Sequence, residues 1–494
     1  MPYFIKEIHE KYSNDLYLRN AEFVKHNLQI IAVVLLSVIF IITKVYFLNK
    51  PFIGIHDWAS TDLAIGGSSL LKFGFFNLKG IPVLDVIMPI DGKFSYYCHW
   101  PLGIFYLFAL GFKIFGIHEW VVRLTVLILS TPTIYLIYLI GQKIHSKNCG
   151  MLAAIFISLF PVFSYYSIVG IYESTNLMLC LMMIYFYIKW IDTKDNKYIY
   201  YSLIFFIVGA NIAWQTYTVV PWLFIHSVIN NNRNQKVYLY IVVPFITLLI
   251  QAGYIYALMD SNVITTITKT FLYRISMSLP EDNFSLYQYI SVISYRLITI
   301  IGLIPFCLSF LGLFFREQKH RKDLSLILFF SGITWLIIMK NHCFIHEFTL
   351  LYITPFVSIL ASIGVLSLIN RCKSLYKYGL LIVIFSATLF QVLPINTRYF
   401  NSNIYETRKE IGVNIEKTTE PDSIIYINIK DNGSHFFEFY SNRYIVYSDD
   451  NRLANNKTIY EFNLIRNNDM TELVDQVKYF YLNKDYYFKI EKIS

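Results

Sequence analysis

Long apolar stretches alternate with short polar connections over the first 394 residues of the chain. Eleven of these stretches are long enough to cross about 30 Å of hydrocarbon as helices. They cover residues 28–48, 120–140, 151–168, 174–191, 198–213, 216–229, 237–259, 291–315, 324–339, 350–369 and 379–393. The pattern predicts a multispan α-helical membrane protein with about 11 transmembrane helices.

Charge decides how to treat a further apolar run at residues 101–117. Counting it as a span would place basic connections such as GQKIHSK (141–147) and REQKHRK (316–322) outside the cell. Leaving it out places them all in the cytoplasm, as the positive-inside rule requires. We therefore predict a re-entrant or juxtamembrane helix on the outer side. Residues 1–27 become a cytoplasmic leader, and the carboxyl terminus lies outside.

The composition changes after Pro394, where charged residues become frequent and no apolar stretch of span length remains. The pattern predicts a helix at residues 405–417 and strands within residues 420–430 and 441–449. We expect three parts: a leader (1–27), a transmembrane domain (28–394) with an outer catalytic loop (49–119), and a small soluble extracytoplasmic α/β domain (395–494), which has an ordinary domain size.

Composition supports this organisation. Of the 494 residues, 55% are hydrophobic and 15% are charged, which is too apolar for a soluble globular protein. The net charge of +9 lies in topology-setting clusters, so we predict no nucleic-acid partner. The six cysteines lack CxxC or metal-ligand spacing, which argues against a zinc site or a disulfide framework. We place the protein in the plasma (inner) membrane.

The polar residues His56 and Asp57 follow directly after the first apolar stretch. A carboxylate at the membrane surface stays ionised at little cost and can act as a general base. The alternative is that Asp57 caps the helix that begins there. Asp62 is the competing carboxylate, and we interpret it as a solvated residue of that helix.

Other polar side chains are expected on the same outer face. Tyr172 and Glu173 follow a span, and Glu173 is either a second site carboxylate or a marker of the interface. His99 lies in SYYCHWPLG (95–103), where aromatic residues commonly anchor a chain at the interface. His99 and Lys93 are candidate contacts for a phosphate or a hydroxyl.

The remaining candidate site residues are arginines, a lysine and two histidines. Arg123 lies inside a span, where an arginine faces a partner or a cavity, and its partner is either Glu119 or a phosphate. Weaker candidates for the same anion are Lys269, Arg274 and Arg296. His342 and His346 have the spacing of a metal pair on a helix, but HExxH is absent, so we expect a positioning role and no metal site.

Together these residues resemble the lipid-linked sugar transferases of the GT-C fold, in particular the protein O-mannosyltransferase and aminoarabinose lipid A transferase superfamily. The resemblance extends over residues 28–394. Two departures stand out: Trp58 follows Asp57 where many relatives have an acidic pair, and Trp100 stands where they have a first proline. The matching segments, in order, are HDWASTDLAIGGSSLLKFGF, YYCHWPL (similar to a His-Pro-Pro-Leu element), HEWVVRLTVLILS, FPVFSYYSIVGIYES and HEFTLLYITPF.

This resemblance implies an integral membrane glycosyltransferase. The donor would be a sugar on a polyprenyl phosphate, the acceptor a protein, lipid or glycan, and no further cofactor would be needed. Asp57 would be the base and Glu173 the second catalytic carboxylate. The implied substrate-binding residues are His56, Lys93, His99, Arg123, Tyr172 and His346. The alternatives are a flippase of lipid-linked sugars, or a polymerase or ligase of lipid-linked oligosaccharides.

Overall fold

The structure is a computed structural model of the chain. It describes residues 27–89, 92–230, 234–258, 262–278, 283–315, 322–421, 423–427, 435–447, 459–466, 477–483 and 486–492. The predicted leader therefore lies outside the described residues, apart from residue 27.

The first half of the molecule is a helical bundle with one long polar loop between its first and third helices. The helices are α1 (Asn27–Leu48), α2 (Asp57–Ser69), α3 (Gly103–Phe115), α4 (Glu119–Ser130), α5 (Pro132–Ile144), α6 (Lys147–Leu159), α7 (Pro161–Tyr166), α8 (Tyr172–Thr193), α9 (Lys197–Ile212) and α10 (Thr216–Ile229). A π-helical turn, Leu70–Gly74, extends α2.

The second half of the bundle continues in the same way and ends in a helix of 27 residues. Its helices are α11 (Leu239–Leu258), α12 (Asn262–Ile275), α13 (Leu286–Ile301), α14 (Leu303–Phe314), α15 (Lys322–Ile338), α16 (Lys340–Ile345), α17 (Thr354–Asn370) and α18 (Ser374–Phe400). Short 3-10 segments, Gln235–Tyr238 and Glu347–Ile353, precede α11 and α17.

Within the described part of the chain, six helices are long and apolar enough to cross a membrane. They are Asn27–Leu48, Glu119–Ile144, Tyr172–Thr193, Gln235–Leu258, Glu347–Asn370 and Tyr376–Phe400. A seventh span results if α13 and α14 are counted as one. The chain is thus an integral membrane protein, but the predicted count of about 11 spans is not confirmed.

The difference in span number has two physical causes. Several apolar stretches form helices of 12 to 17 residues, such as α6 and α9, and these measure about 18–26 Å, less than the hydrocarbon thickness. In addition, the stretch at 291–315 is bent by 103° between α13 and α14. Gly302 lies at that bend with a φ of +104°, a conformation that favours glycine.

Helix α3 corresponds to the run predicted not to span. It has 13 residues, so it is about 20 Å long, and it packs against α2 and α4. Phe105, Phe108 and Phe112 bury one face of this helix. The prediction that it lies on the outer side without crossing stays a prediction.

The carboxyl-terminal segment contains α19 (Glu406–Thr418), α20 (Phe436–Ser441) and a mixed sheet. The strands are β1 (Ile424–Ile427), β2 (Tyr444–Tyr447), β3 (Ile459–Arg466), β4 (Val477–Asn483) and β5 (Tyr486–Lys492), in the order β2-β1-β3-β5-β4. β1 pairs in parallel with β2 and β3, while β5 pairs antiparallel with β3 and β4. The helix and first two strands lie where the sequence predicted them. That the segment is a separate soluble domain stays a prediction.

Two glycines allow α14 and α17 to approach closely. A Cβ atom on Gly312 would lie 2.0 Å from the Leu360 carbonyl oxygen, and one on Gly364 would lie 2.2 Å from the Leu308 carbonyl oxygen. Close backbone approach at small residues is a common means of helix packing in membranes. This contact fixes two of the helices that line the groove described below.

We predict that Gly312→Ala destabilises the protein by about 1–3 kcal/mol, because the new methyl group meets a rigid backbone carbonyl. The matched control is Gly253→Ala on α11, where no atom lies within 4 Å of the new Cβ position. Thermal unfolding of the detergent-solubilised variants measures the effect. Equal melting temperatures for both variants would contradict the importance of this crossing.

Candidate active site

The loop after the first span is anchored by a buried ion pair. Asp57 is the first residue of α2 and is only 1% exposed. Its Oδ2 accepts hydrogen bonds from the Arg123 guanidinium (2.8 Å) and the Gly54 amide (2.8 Å), and its Oδ1 accepts one from the Ser60 hydroxyl (3.0 Å). All these partners stabilise the ionised carboxylate, so Asp57 carries a compensated charge.

Arg123 connects three segments of the chain. Besides Asp57, its guanidinium donates to the carbonyl oxygens of Lys50 (3.0 Å), Pro51 (2.9 Å) and Ile168 (3.2 Å). It is 2% exposed. The sequence offered Glu119 or a phosphate as its partner, and the structure corrects this: the partner is Asp57. In this arrangement Arg123 has no face left for a substrate.

A separate cavity of about 490 Å³ lies beside this ion pair. Its walls come from α2, the loop before α3, the start of α8, α12, α16 and the segment before α20. The lining residues are Trp58, Ala59, Asp62, Leu63, Leu84, Tyr97, His99, Trp100, Ile171, Tyr172, Glu173, Thr270, Tyr273, Arg274, Asn341, His342, Ile345, His346, Phe348 and His435. Neither Asp57 nor Arg123 is among them.

The helical repeat explains why Asp57 and Asp62 face different surroundings. Five residues along an α-helix correspond to a rotation of about 140°, so the two side chains point to different sides of α2. Trp58 and Asp62, four residues apart, lie on one stripe of α2, and that stripe, with the neighbouring Ala59 and Leu63, lines the cavity. The interpretation of Asp62 as a solvated residue is corrected: it is half-buried at the cavity wall. The periodicity of α2 is the signal that could have found it.

Glu173 is the second carboxylate of the cavity. It begins α8 with Tyr172, and it is 1% exposed. Its Oε1 accepts a hydrogen bond from the Gln215 amide (3.2 Å), whereas Oε2 has no hydrogen-bond partner among the described residues. Tyr172 lines the same cavity, and its hydroxyl shares a 2.7 Å hydrogen bond with that of Tyr97. The structure therefore brings both predicted residues into one site.

The arginine of the cavity is Arg274, which the sequence ranked below Arg123. Its guanidinium lies 4.6 Å from the centroid of the Trp100 ring and donates to the His99 carbonyl oxygen (3.4 Å). The other weak candidates do not reach the cavity. Arg296 donates to the carbonyl oxygens of residues 343–345, and Lys269 is exposed on α12.

Of the four histidines that line the cavity, three belong to the membrane bundle: His99, His342 and His346. One ring nitrogen of each is buried without a hydrogen-bond partner in the described part of the chain. Burial, reinforced by Arg274, lowers the pKa of His99, lowers that of His342 to about 3 and, with His342 itself as a further cause, holds that of His346 well below its ordinary value. These rings are neutral at neutral pH, so they offer hydrogen bonds to hydroxyl groups rather than positive charge.

His56 supports this wall from behind. Its ring centroid is 5.5 Å from that of His346 and 5.1 Å from that of Phe348, and its Nδ1 accepts a hydrogen bond from the Trp58 indole (3.3 Å). Burial lowers the pKa of His56 to about 4. The predicted role of His56 as a direct contact is thus replaced, in this geometry, by packing behind the wall.

Two remaining predictions concern Lys93 and metal binding. Lys93 is exposed and does not line the cavity. Among the described residues, no group of three or more His, Cys, Asp or Glu side chains could hold a metal ion. His342 and His346, the predicted pair, have ring centroids 4.8 Å apart but lack a third such ligand.

Sequence reasoning missed His435 altogether. This residue precedes α20 in the carboxyl-terminal segment and lines the cavity of the membrane bundle. Its spacing of three residues from Glu438 is a weak signal of an ion pair, and nothing in the sequence connects it to α2.

The family comparison matches part of the bundle. Residues 99–256 match the family model described as dolichyl-phosphate-mannose-protein mannosyltransferase. The matched segment is less than half of the chain and contains Arg123, Tyr172 and Glu173. No curated protein matches the sequence.

Solved structures with a similar fold extend over nearly the whole chain. ArnT from Cupriavidus metallidurans, bound to undecaprenyl phosphate, aligns with a TM-score of 0.62 and 11% identity over 93% of this chain and 97% of that one. The oligosaccharyltransferase AglB from Archaeoglobus fulgidus, in complex with an inhibitory peptide and a dolichol-phosphate, aligns with a TM-score of 0.56 and 12% identity. That alignment covers 85% of this chain and 64% of AglB.

These likenesses establish the fold. The chain has the GT-C fold of membrane glycosyltransferases, and the resemblance predicted from the sequence is confirmed. The roles of the individual site residues are not tested by these comparisons.

We predict that removing one member of the buried pair destabilises the protein by about 3–5 kcal/mol, because the other charge is left without its partner. Arg123→Met and Asp57→Asn test this, and the double variant should be less destabilised than the sum of the two. Thermal unfolding with ligand-free protein is the measurement. Additive losses would show that the two side chains do not stabilise each other.

Proposed function

We propose that the protein is a glycosyltransferase that moves a sugar from a polyprenyl-phosphate donor to an acceptor at the outer face of the membrane. The observation that carries this proposal is the cavity itself: carboxylates, one arginine and neutral imidazoles surround a space walled by aromatic rings, next to an apolar groove. Membrane glycosyltransferases of the same fold, one bound to undecaprenyl phosphate and one to a dolichol-phosphate, support it.

The apolar groove fits the lipid part of such a donor. It has a volume of about 710 Å³, lies between α13, α14, α15 and α17, and is lined almost entirely by aliphatic and aromatic side chains. Lys340 lines the groove, and the next two residues, Asn341 and His342, line the cavity. A polyprenyl chain in the groove would therefore place its phosphate beside α16, close to the polar cavity.

Arg274 is assigned to the donor phosphate. A guanidinium suits this role because it stays charged and can donate two hydrogen bonds to one phosphate group. Its position against Trp100 fixes its plane, and its partial burial strengthens its interaction with an anion. As the bond between the anomeric carbon and the phosphate oxygen breaks, Arg274 would stabilise the charge that develops on the polyprenyl phosphate.

Acceptor activation requires a carboxylate that reaches the cavity. Glu173 meets this condition, since it lines the cavity and its Oε2 has no hydrogen-bond partner in the part of the chain that the structure describes. We propose that Glu173 removes the proton from the acceptor hydroxyl or amine. The oxygen or nitrogen of the acceptor then attacks the anomeric carbon. For Asp57, the predicted base, catalysis would first require breaking its contact with Arg123. Its role as base stays a prediction, and the geometry favours Glu173.

We predict that Glu173→Gln lowers turnover by about 10²–10⁴-fold, the usual contribution of a positioned general base. The assay uses full-length protein in liposomes, offers a set of undecaprenyl-phosphate sugars with a cell-envelope extract as acceptor, and measures release of undecaprenyl phosphate. Asp57→Asn is the comparison. It should lose thermal stability, with a smaller loss of turnover per folded molecule.

A larger loss of turnover per folded molecule in Asp57→Asn than in Glu173→Gln would indicate that Asp57 is the base. Translocation of the donor across the liposome membrane without release of undecaprenyl phosphate would favour a flippase and contradict the proposed function. Transfer of preassembled oligosaccharides alone would indicate a ligase.

We also predict that Arg274→Gln raises the KM for the donor and lowers kcat, because the phosphate is bound both before and during bond cleavage. Lys269→Gln is the matched control: it removes an exposed positive charge from the same helix and should leave both constants unchanged. Titration with undecaprenyl phosphate as a competing ligand should show the same difference. Equal effects of the two substitutions would contradict the role of Arg274.

A further inference from the structure

The carboxyl-terminal segment contributes one side chain to the cavity of the membrane bundle. His435 lines the cavity. Its backbone N–H donates a 3.3 Å hydrogen bond to Oδ1 of Asp62, the cavity carboxylate of α2. A residue 373 positions away in the sequence is therefore in direct contact with the wall that faces the substrate.

This contact belongs to a fixed interface. The Tyr440 hydroxyl on α20 accepts a hydrogen bond from the Phe52 amide (2.9 Å), and the Phe439 and Phe52 rings lie 5.3 Å apart. On the other side, the Lys72 ammonium donates to the Asn442 side-chain oxygen (2.9 Å). The helix that follows His435 is thus attached on both sides to the loop and helix that carry Asp57 and Asp62.

The charge on His435 distinguishes it from the other imidazoles of the site. Its Nδ1 lies 3.4 Å from Oε1 of Glu438. Burial by itself lowers the pKa of His435, but Glu438, Asp62 and Asp85 together raise it to about 9. At neutral pH the ring is an imidazolium among three carboxylates, whereas the three histidines that share the cavity with it are neutral.

The arrangement of Glu438, His435 and Asp62 has a simple electrostatic effect. A positive charge next to a carboxylate favours its ionised form. The hydrogen bond from the His435 backbone N–H to Oδ1 also limits the rotation of the Asp62 side chain at the cavity wall. Since Asp62 lies in the same stripe of α2 as Trp58, a hydroxyl-bearing substrate in the cavity meets both side chains.

We propose that His435 is a positioning residue of the transfer site: its imidazolium and backbone N–H hold the Asp62 carboxylate ionised at the cavity wall, where Asp62 binds hydroxyl groups of the substrate. The carboxyl-terminal segment then completes the site rather than only covering it. This inference rests on the proposed glycosyltransferase function and names a residue outside the membrane bundle as necessary for it.

The experiment compares His435→Gln, which removes the charge, with His435→Lys, which keeps a positive charge. The control is His118→Gln, an exposed histidine between α3 and α4. Release of undecaprenyl phosphate by full-length protein in liposomes is measured at intervals of about one pH unit from pH 4 to pH 10. This interval extends from the ordinary pKa of a carboxyl group to that of a lysine. We expect His435→Gln to move the acid limb of kcat/KM upward by about one pH unit and His435→Lys to restore it.

A second measurement does not depend on activity. His435 binds its proton more tightly in the folded protein than in the unfolded chain, so its stabilising effect is complete below about pH 6.5 and is lost as the pH rises to about 9. The melting temperature of the wild type should therefore exceed that of His435→Gln most at low pH, with the difference shrinking over this window. In an Asp62→Asn background the difference should be smaller at every pH.

The outcomes separate the two claims. If the wild type is active but His435→Gln leaves the acid limb of kcat/KM where it is, this inference is overturned and the proposed function stays intact. The same holds if His435→Lys does not restore the acid limb. Equal melting-temperature differences with and without the Asp62 carboxylate also overturn the inference. A wild type that releases no undecaprenyl phosphate from any donor overturns the proposed function, and the inference with it.

Discussion

The buried contact between Asp57 and Arg123 is the constraint on which the rest of the site depends. Its two charges sit almost without solvent, and Arg123 also binds backbone carbonyls before α2 and before α8. Three segments far apart in the sequence are thereby held in one position. Two of these segments lead into the helices that place Asp62 and Glu173 at the cavity wall. The ion pair therefore acts on the chemistry through geometry, since neither member lines the cavity.

The cavity is lined by charged side chains and by neutral histidines. Acidic groups on α2 and α8 and a cation on α12 face one space, while the intervening histidines stay neutral because of burial. Neutral imidazoles and aromatic rings are suitable surroundings for a sugar, which offers hydroxyl groups and apolar C–H faces but no charge. Under the proposed function, Glu173 and Arg274 act at the two places where the reaction develops charge, the acceptor proton and the departing phosphate.

The sequence predicted the helical membrane architecture and much of the site. Glu173, Tyr172, His99 and His346 were expected on one face, and the structure places all four at the same cavity. These succeeded because each follows or precedes an apolar stretch, so topology alone brings them to one side. The count of spans is not confirmed because helices such as α9 are shorter than the hydrocarbon is thick, which hydrophobicity alone does not reveal.

The individual partners were harder to predict. Pairing between Asp57 and Arg123 joins positions 66 residues apart, and no local pattern specifies it. The helical repeat places Asp57 and Asp62 on different sides of α2, so the sequence predicts that only one of them lines a given cavity. Which one does so depends on which side of α2 faces the cavity, and the sequence does not show this. His435 was out of reach, because its position depends on how α20 docks onto the membrane bundle.

Under the proposed function, the position of helix α16 bears on the order in which the two substrates bind. Its first residue lines the apolar groove and its next two line the polar cavity, so the two spaces adjoin at this helix. Under the proposed function, the lipid of the donor would occupy the groove and the acceptor would occupy the polar cavity. Neither has to leave before the other enters. Under the proposed function, such a site favours a ternary complex in which both substrates are bound at once.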